Sequence, residues 1–296
     1  MSDYMELNKC ILCPFECNVN RNQGKIGRCK APKKIKIALY KLHFDEEPCI
    51  SGKNGSGTIF FSDCNLKCKF CQNYKISCES KGEEITEERL ANIMLELQEK
   101  KANNINLVTA TPYVPMVIDA IKIAKRKGLN IPLLYNTSGY ESLETLKMLD
   151  GLIDIYLPDF KYFDNELGKR LSNVTNYREI TTRALKEMYR QVGTNKYNDE
   201  GLLIKGMIIR HLVLPNNIDN SKKVLKWISL NMPSNIMISL MAQYFPTYKA
   251  ESIEEINRQL NEEEYKQIEE YLYSLNLENG YIQELGKEEE KYVPEF

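Results

Sequence analysis

The sequence predicts an α/β fold: a partial (β/α)6 barrel of the TIM type, with a small N-terminal cysteine-rich module before it and a C-terminal helical extension after it. Two observations carry this prediction. From residue 57 onward, short apolar runs alternate with amphipathic helical segments, which is typical of parallel strands with helices packed outside them. The 296 residues are 43% hydrophobic and 27% charged, as in folded globular proteins.

The alternation can be followed along the chain. The apolar runs are GTIFFSD, INLVTA, IPLLYN, GLIDIYLPD, LIKGMIIRHLVL and NIMISLM. The helical segments between them are ITEERLANIMLELQEKKA, VPMVIDAIKIAKRKG, SLETLKMLD, YREITTRALKEMYRQV and NSKKVLKWISLN. Thr86 is a capping residue before the first helix, and Gly128 ends the second. Folds of this kind place functional residues at the C-terminal ends of strands, so the polar residues there are the candidates.

These patterns divide the chain into three expected segments. Residues 1 to 56 form a four-cysteine front module that includes one or two short strands in KIKIALYKLHF. Residues 57 to 250 form the partial barrel. Residues 251 to 296 are acidic and rich in tyrosine, and we expect a helical extension that covers one edge of the barrel.

The charge balance excludes some classes of partner. Forty basic residues face 41 acidic ones, so no general attraction to nucleic acid or to an anionic membrane is expected. The N-terminus does not resemble a signal peptide, and no apolar segment has the length of a bilayer span. We therefore expect a cytoplasmic protein. Its nine cysteines are then expected to be metal ligands or catalytic groups, because that compartment keeps thiols reduced.

Three cysteines lie within eight positions after the first barrel strand, in TIFFSDCNLKCKFCQNYKIS, residues 58 to 77. Cys64, Cys68 and Cys71 can bind three irons of a [4Fe–4S] cluster and leave the fourth iron without a protein ligand. An open position of this kind separates a catalytic metal site from a closed structural one. The alternative is a structural zinc knuckle or three unrelated thiols.

The spacing Cys-x3-Cys-x2-Cys, with Phe70 before the last cysteine, resembles the signature of the radical S-adenosylmethionine superfamily. The resemblance implies a [4Fe–4S] cluster whose free iron binds S-adenosylmethionine, and an external electron donor of the flavodoxin or ferredoxin type. It also implies reductive cleavage of S-adenosylmethionine to methionine and a 5′-deoxyadenosyl radical, which removes hydrogen from a substrate.

The ends of the next two strands extend the resemblance. In LVTATP, residues 107 to 112, Thr109 and Thr111 stand where the family has a glycine-rich turn that meets the methionine amino group. In YNTSGY, residues 135 to 140, Asn136, Thr137 and Ser138 resemble a stretch of the glycyl-radical-activating enzymes. They are expected to contact the ribose or the carboxylate of S-adenosylmethionine. The alternative is a plain polar turn with a helix cap.

Two later strand ends supply candidate catalytic residues. In DIYLPDFKY, residues 154 to 162, Asp159 and Lys161 match the Asp-x-Lys of the activating enzymes, which lies near S-adenosylmethionine. In IRHLVLP, residues 209 to 215, His211 resembles a strand histidine near the site of those enzymes. The alternatives are a surface ion pair and a hydrogen-bonded core histidine. After the last strand, three residues are candidates for the substrate side or for the core: Gln243, Tyr244 and Tyr248.

A second group of four cysteines lies near the N-terminus: Cys10, Cys13, Cys17 and Cys29. Four thiolates can close a tetrahedral zinc site or hold a second, coordinatively complete cluster, and the sequence does not choose between them. Cys49 and Cys78 belong to neither group. In the link HFDEEP, His43, Glu46 and Glu47 either reach the active site or end a strand.

The front motif, this link, the cysteine loop and the barrel pattern together resemble the pyruvate formate-lyase activating enzyme-like subgroup of the superfamily. The main hypothesis is an enzyme, and the subgroup implies a glycyl-radical enzyme as its substrate. A different small molecule or peptide is the alternative substrate. The alternative class is a non-catalytic four-cysteine interaction module, against which the near-neutral charge argues.

Overall fold

The computed structural model describes residues 4 to 286. Their framework is a ten-stranded sheet. The strands are β1 (Ile35–His43), β2 (Ser56–Phe61), β3 (Glu83–Ile85), β4 (Ile105–Val108), β5 (Leu133–Thr137), β6 (Ile155–Pro158), β7 (Lys196–Tyr197), β8 (Leu203–Leu212), β9 (Met237–Met241) and β10 (Gly280–Ile282). The helices are α1 (Pro48–Ser51), α2 (Tyr74–Ser77), α3 (Glu87–Glu99), α4 (Val114–Arg126), α5 (Leu143–Met148), α6 (Asn165–Ser172), α7 (Tyr177–Val192), α8 (Ile218–Asn231) and α9 (Glu262–Ser274).

The six predicted barrel strands are neighbours in this sheet and run parallel, in the order β2, β4, β5, β6, β8 and β9. The partial barrel is therefore confirmed. β1 pairs with β2 in the antiparallel direction, so the front segment contributes a strand to the same sheet. β3 and β10 lie at opposite ends of the strand order, which leaves the barrel open between them.

The sequence of each element explains its place. Every residue of β2, β4 and β6 is buried, as expected of parallel strands that are covered on both faces. α3 begins where Thr86 Oγ1 accepts a hydrogen bond from the Arg89 N–H at 3.1 Å. Gly128 follows α4 with a φ of 104°, a conformation that glycine adopts at little cost.

The C-terminal extension contains the expected helix, α9, and then returns to the sheet. β10 pairs in parallel with β9 and adds a seventh parallel strand. A Cβ atom at Gly280 would lie 1.8 Å from the Ile238 carbonyl oxygen, so only glycine allows this approach. The expected extension beyond residue 286 lies outside the described residues. Between residues 4 and 286, no helix has both the length and the apolar character needed to cross a membrane.

Candidate active site

A cavity of about 540 Å³ lies at the C-terminal ends of the parallel strands. Six strands contribute a lining residue at or next to their ends: Phe61, Val108, Asn136, Asp159, Leu212 and Met241. Functional residues are expected at this edge, since ligands of parallel α/β folds bind there.

The cysteine loop between β2 and α2 forms one wall of this cavity, and all three of its cysteines line it. Asp63 begins the loop in a left-handed backbone conformation, with a φ of 66°. Its N–H donates to the Ile76 carbonyl at 2.9 Å. The Lys69 N–H donates to the Leu171 carbonyl of α6 at 2.8 Å. The loop is therefore held between α2 and α6.

The three thiols are close enough for charge on one to affect the pKa of another. Burial raises the pKa of Cys71 to about 12, and negative charge on Cys68 would raise this pKa further. Burial likewise raises the pKa of Cys64, with both other thiols adding to the effect. Ser172 Oγ donates to Cys68 Sγ at 2.9 Å, and Ser77 Oγ lies 3.1 Å from Cys71 Sγ. Such thiols become thiolates only beside a strong positive charge, which bound iron supplies.

The arrangement fits a cluster with a free iron. Between residues 4 and 286, no three histidine, cysteine, aspartate or glutamate side chains converge on a single ion position. A [4Fe–4S] cluster does not need such convergence, because each thiolate binds a different iron. Three thiols on a cavity wall, two of them in contact with hydroxyls, match the donor set of such a cluster, and they would leave one iron without a protein ligand.

Phe70 completes the loop side of the cavity. Its ring meets the rings of Tyr162 and Tyr244 edge-on, with centroids 6.5 and 6.0 Å apart. These aromatic contacts fix the orientation of the loop between two of its cysteines and give the cavity an apolar surface there.

Asp159 and Lys161 both line the cavity. Lys161 Nζ donates to Asp159 Oδ2 at 2.5 Å. The side chain of Lys161 is only 16% exposed and that of Asp159 only 21%, so they are not a surface ion pair. Burial alone would lower the pKa of Lys161, but the Asp159 carboxylate and the Cys68 thiolate raise it above its usual range. A permanent positive charge therefore stands beside the cysteine loop.

The end of β5 presents three predicted residues to the cavity: Asn136, Thr137 and Ser138. Tyr177 Oη contacts the carbonyl oxygens of Ser138 and Asp159, at 2.7 and 2.9 Å. A Cβ atom at Gly139, whose φ is 75°, would lie 2.4 Å from the Asp159 carbonyl oxygen. The ends of β5 and β6 therefore approach more closely than a side chain at this position permits.

The two threonines after β4 are divided between cavity and core. Thr109 lines the cavity with a φ of 64°, and its N–H donates to the Asn136 carbonyl at 2.9 Å. Thr111 is buried away from the cavity and donates to Glu141 Oε1 at 2.6 Å. Glu141 also accepts a hydrogen bond from Thr137, and burial raises the pKa of Glu141 to about 7.

His211 is placed in the core instead of the cavity. It is fully buried, with Nδ1 2.7 Å from the Phe160 carbonyl oxygen and Nε2 2.9 Å from Ser221 Oγ. Burial lowers its pKa to about 4, so it is neutral near pH 7. Because both ring nitrogens are engaged and the ring does not line the cavity, we do not retain it as a catalytic group. Its neighbour Arg210 lines the cavity instead, since successive strand side chains point to opposite faces.

Arg210, Glu46 and Glu47 form what we call the charged wall of the cavity. Arg210 Nε and Nη2 donate to the two Glu47 carboxylate oxygens at 2.8 and 2.5 Å, and Nη2 also donates to Glu46. Asn106 Nδ2 donates to Glu46 Oε1 at 2.8 Å. Burial would raise the pKa of Glu47, but Arg210 holds it below its usual value. The HFDEEP link therefore reaches the site. Arg210 was not among the site residues predicted from the sequence, and the only sequence feature that marks it is a charged residue inside an apolar strand.

Of the three candidate residues after β9, two line the cavity and one lies outside it. Gln243 and Tyr244 line the cavity, and Gln72 Nε2 donates to the Gln243 carbonyl at 3.1 Å. Tyr248 lies outside the cavity and stacks on Tyr74, with ring centroids 4.8 Å apart. β10, which the sequence pattern did not predict, brings Tyr281 and Ile282 to the same cavity, and Gln283 and Glu284 follow it there.

The four front cysteines lie close to one another but do not line the cavity. Burial raises the pKa of Cys13 to about 12, and negative charge on Cys29 and Cys17 would raise it further. Burial also raises the pKa of Cys29, and negative charge on Cys10 would raise it further. A Cβ atom at Gly27 would lie 2.9 Å from Cys17 Sγ, so a residue with a side chain there would disturb this group.

A short chain of contacts joins the front module to the cysteine loop. The rings of Phe15 and Tyr140 pack with centroids 5.3 Å apart. The Tyr140 carbonyl accepts a hydrogen bond from Asn65 Nδ2 at 2.8 Å, directly beside Cys64. Tyr140 therefore lies between Phe15 of the front module and Asn65 of the cysteine loop.

Residues 58–228, more than half of the chain, match the family model described as the radical SAM superfamily. The chain belongs to the radical SAM superfamily. Membership implies an enzyme that uses S-adenosylmethionine and a [4Fe–4S] cluster and needs an external electron donor. The loop that carries the three cysteines and the polar strand ends lies inside the matched range.

This chain is also similar in sequence or in structure to individual proteins. An uncharacterized protein of Methanocaldococcus jannaschii is 35% identical over 282 residues, which are 91% of this chain and 75% of that protein. A mutant of spore photoproduct lyase matches 84% of this chain and 81% of its own, with a TM-score of 0.53 and 11% identity. Streptococcus suis SuiB bound to S-adenosylmethionine matches 79% of this chain, with a TM-score of 0.51 and 16% identity.

The solved structures share the fold with this chain, and the chain spans only about half of SuiB, 51% of its length. A domain of a pyruvate-formate lyase-activating enzyme from Bacteroides vulgatus aligns with 58% of this chain, with a TM-score of 0.42 and 17% identity.

Proposed function

We propose that this chain binds a [4Fe–4S] cluster through Cys64, Cys68 and Cys71, cleaves S-adenosylmethionine reductively and removes hydrogen from a substrate held in the cavity. The observation that carries this proposal is the placement of three thiols on the wall of one cavity, which Asp159 and Lys161 also line. When bound, the cluster and S-adenosylmethionine supply the electron and the 5′-deoxyadenosyl radical.

The residues of the cavity are proposed to bind and orient S-adenosylmethionine. Lys161 offers a permanent positive charge to a carboxylate, and Asp159 offers an acceptor to an amino group. The Ser138 hydroxyl and the Asn136 amide suit a ribose, whereas the Thr137 hydroxyl donates to Glu141. Phe70 and the apolar strand ends exclude water from this part of the cavity, which limits loss of a reactive radical to solvent.

The charged wall suggests the chemistry of the substrate. Carboxylates outnumber cations there, because Arg210 stands against Glu46 and Glu47 and Asp45 also lines the cavity. Such a surface favours a substrate that presents N–H donors, and a peptide backbone does so. We therefore propose a peptide or protein substrate, and within that class the glycine loop of a glycyl-radical enzyme.

The front cysteines are proposed to bind a second metal centre, either a zinc ion or an iron–sulfur cluster. The cluster fits better, because no three metal-binding side chains between residues 4 and 286 converge on one ion position, and each thiolate of a cluster binds a different iron. One buried and three partly buried thiols lie in this group, and they would repel one another as thiolates. A bound metal centre would balance that charge. Iron and zinc analysis of anoxically purified protein distinguishes the two centres.

The reaction is tested by anoxic reconstitution with iron and sulfide, followed by dithionite and S-adenosylmethionine. We expect 5′-deoxyadenosine in wild type and none in Cys68→Ala. Cys49→Ala is the matched control, because Cys49 is a buried thiol outside both groups, and it should retain activity. A wild-type protein that takes up four irons in the loop and forms no 5′-deoxyadenosine contradicts the proposal.

The substrate is tested separately. Incubation with a candidate glycyl-radical enzyme under the same conditions should give the electron paramagnetic resonance signal of a glycyl radical on the partner. Production of 5′-deoxyadenosine without that signal, for every candidate tried, would retain the radical chemistry and remove the glycyl-radical substrate.

A further inference from the structure

A second pocket lies on the other face of the cysteine loop, and we call it the basic pocket. Its volume is about 740 Å³. Five lysines and one arginine line it: Lys30, Lys67, Lys69, Lys169, Arg170 and Lys249. The other lining residues are Cys78, Asn173 and Tyr248, so no carboxylate belongs to the described lining. This concentration of positive charge stands out in a chain whose net charge is -1.

The cysteine loop is the partition between the basic pocket and the cavity. Leu66, Cys68 and Phe70 line the cavity, whereas Lys67 and Lys69 line the basic pocket. Side chains along this segment therefore alternate between the two spaces. A single thickness of chain separates a surface rich in lysine from the thiols that bind the cluster.

Two short paths connect the basic pocket to the thiols. Lys67 Nζ donates to the Ser77 carbonyl at 2.9 Å, and Ser77 Oγ lies 3.1 Å from Cys71 Sγ. On the other side, Ser172 Oγ donates to Cys68 Sγ at 2.9 Å, and the next residue, Asn173, lines the basic pocket. One serine residue thus lies between the basic pocket and each of two cysteines.

Most of the positive charge in the basic pocket remains available. Arg170 is paired with Glu255 at 2.9 Å, and Lys169 is 4.0 Å from Glu166 in an exposed pair. In the part of the chain from residue 4 to residue 286, the other four lysines of the basic pocket take part in no ion pair with a recorded carboxylate. Exposed unpaired charges of one sign steer an oppositely charged partner toward the surface that carries them.

We propose that the basic pocket is the docking surface for an acidic one-electron carrier protein, which reduces the cluster through the back of the cysteine loop. This inference rests on the proposed function. Each docking event transfers one electron: the carrier is oxidised by one electron and the cluster is reduced by one. The substrate and S-adenosylmethionine enter from the cavity side, so reductant and substrate do not compete for space.

The test compares two double variants with the same change of charge. Lys169→Glu with Lys249→Glu reverses two exposed cations of the basic pocket, and neither residue contacts a cluster thiol. Lys223→Glu with Lys226→Glu reverses two exposed cations of α8 and serves as the control. Binding of oxidised flavodoxin or ferredoxin to the reconstituted protein is measured at low and at high ionic strength.

We expect the dissociation constant of the basic-pocket variant at low ionic strength to rise about tenfold over wild type, and the difference to shrink at high ionic strength. The control should remain within about twofold of wild type. Formation of 5′-deoxyadenosine with the reduced carrier should fall with binding. Formation with photoreduced deazaflavin, a small reductant that needs no docking, should be unchanged.

Two outcomes overturn the docking surface: equal weakening in both double variants, and wild-type binding that does not respond to salt. Tighter binding of single-stranded nucleic acid than of either carrier, lost in the basic-pocket variant alone, would assign the surface to another class of partner. Absence of 5′-deoxyadenosine with deazaflavin in wild type would contradict the proposed function instead, and the binding measurement would still decide the docking surface.

Discussion

The two cysteine groups of this chain are linked through contacts of Tyr140 and differ in their surroundings. The front group has four thiols and lies away from the cavity, whereas the loop group has three thiols and lines it. Four thiolates saturate a zinc ion or every iron of a cluster, and three leave one iron free. Reactivity is therefore expected at the loop group, where one iron would lack a protein ligand and a cavity is present. It is not expected at every group of cysteines.

The largest expected effect separates these two groups. Cys68→Ala should lose the loop cluster and reduce 5′-deoxyadenosine formation to background. Cys13→Ala should lose the front metal centre while the loop cluster still supports cleavage. Metal analysis and product quantification on the same samples check both expectations. If Cys13→Ala abolishes product and retains full loop iron, the front centre takes part in the reaction and the comparison fails.

The next effect concerns the cavity side of the loop. Lys161→Met should decrease the rate of S-adenosylmethionine cleavage about a hundredfold, because Asp159 is then left partly buried without its partner beside the bound cofactor. Lys125→Met, an exposed change on α4, is the matched control and should have no effect. A Lys161→Met protein with normal affinity for S-adenosylmethionine and a normal cleavage rate would remove this residue from the binding site.

A third effect concerns Glu141, which lies buried next to Tyr140 and accepts hydrogen bonds from Thr111 and Thr137. Its usual pKa is 4.5 and burial raises it to about 7, so the folded state binds the proton more tightly than the unfolded state between these values. The free energy of unfolding should therefore fall by about 3 kcal/mol relative to Glu141→Gln as pH rises from 4.5 to 7, and then stay level. Anoxic chemical unfolding across this range measures the difference. A flat difference between wild type and variant would contradict the raised pKa.

The smallest effect concerns the hydroxyl groups that contact the thiols. Ser172→Ala removes the donor to Cys68 and should make the midpoint potential of the loop cluster more negative, because hydrogen bonds to sulfur stabilise the reduced state. The cleavage rate should fall by less than about threefold. Redox titration of the variant beside wild type checks the direction, and a more positive potential would refute the role of Ser172.

Much of the framework could be predicted from the sequence. Continuous apolar runs identified the six parallel strands, since strands covered on both faces lack polar alternation. β10 was missed because three residues that include Gly280 carry too little pattern, and its pairing depends on a close backbone approach to β9. α6 was not identified either, although it supplies the Ser172 contact.

The sequence predicted which strand ends form the site. It did not predict which side chains at those ends point into the cavity. His211 and Arg210 are adjacent, and a shift of one residue decides which of them enters the cavity. Thr109 and Thr111 are divided in the same way by a tight turn. The basic pocket could not be foreseen, because its lysines come from separate parts of the chain and meet only in the folded structure.

The most direct test of the account is electron paramagnetic resonance of the anoxically reconstituted and reduced protein, before and after S-adenosylmethionine is added. The account predicts a reduced [4Fe–4S] signal that depends on Cys68 and changes its g values when S-adenosylmethionine binds the free iron. Two results would contradict the account. One is a signal that stays the same at saturating S-adenosylmethionine. The other is a signal that still responds to S-adenosylmethionine in Cys68→Ala.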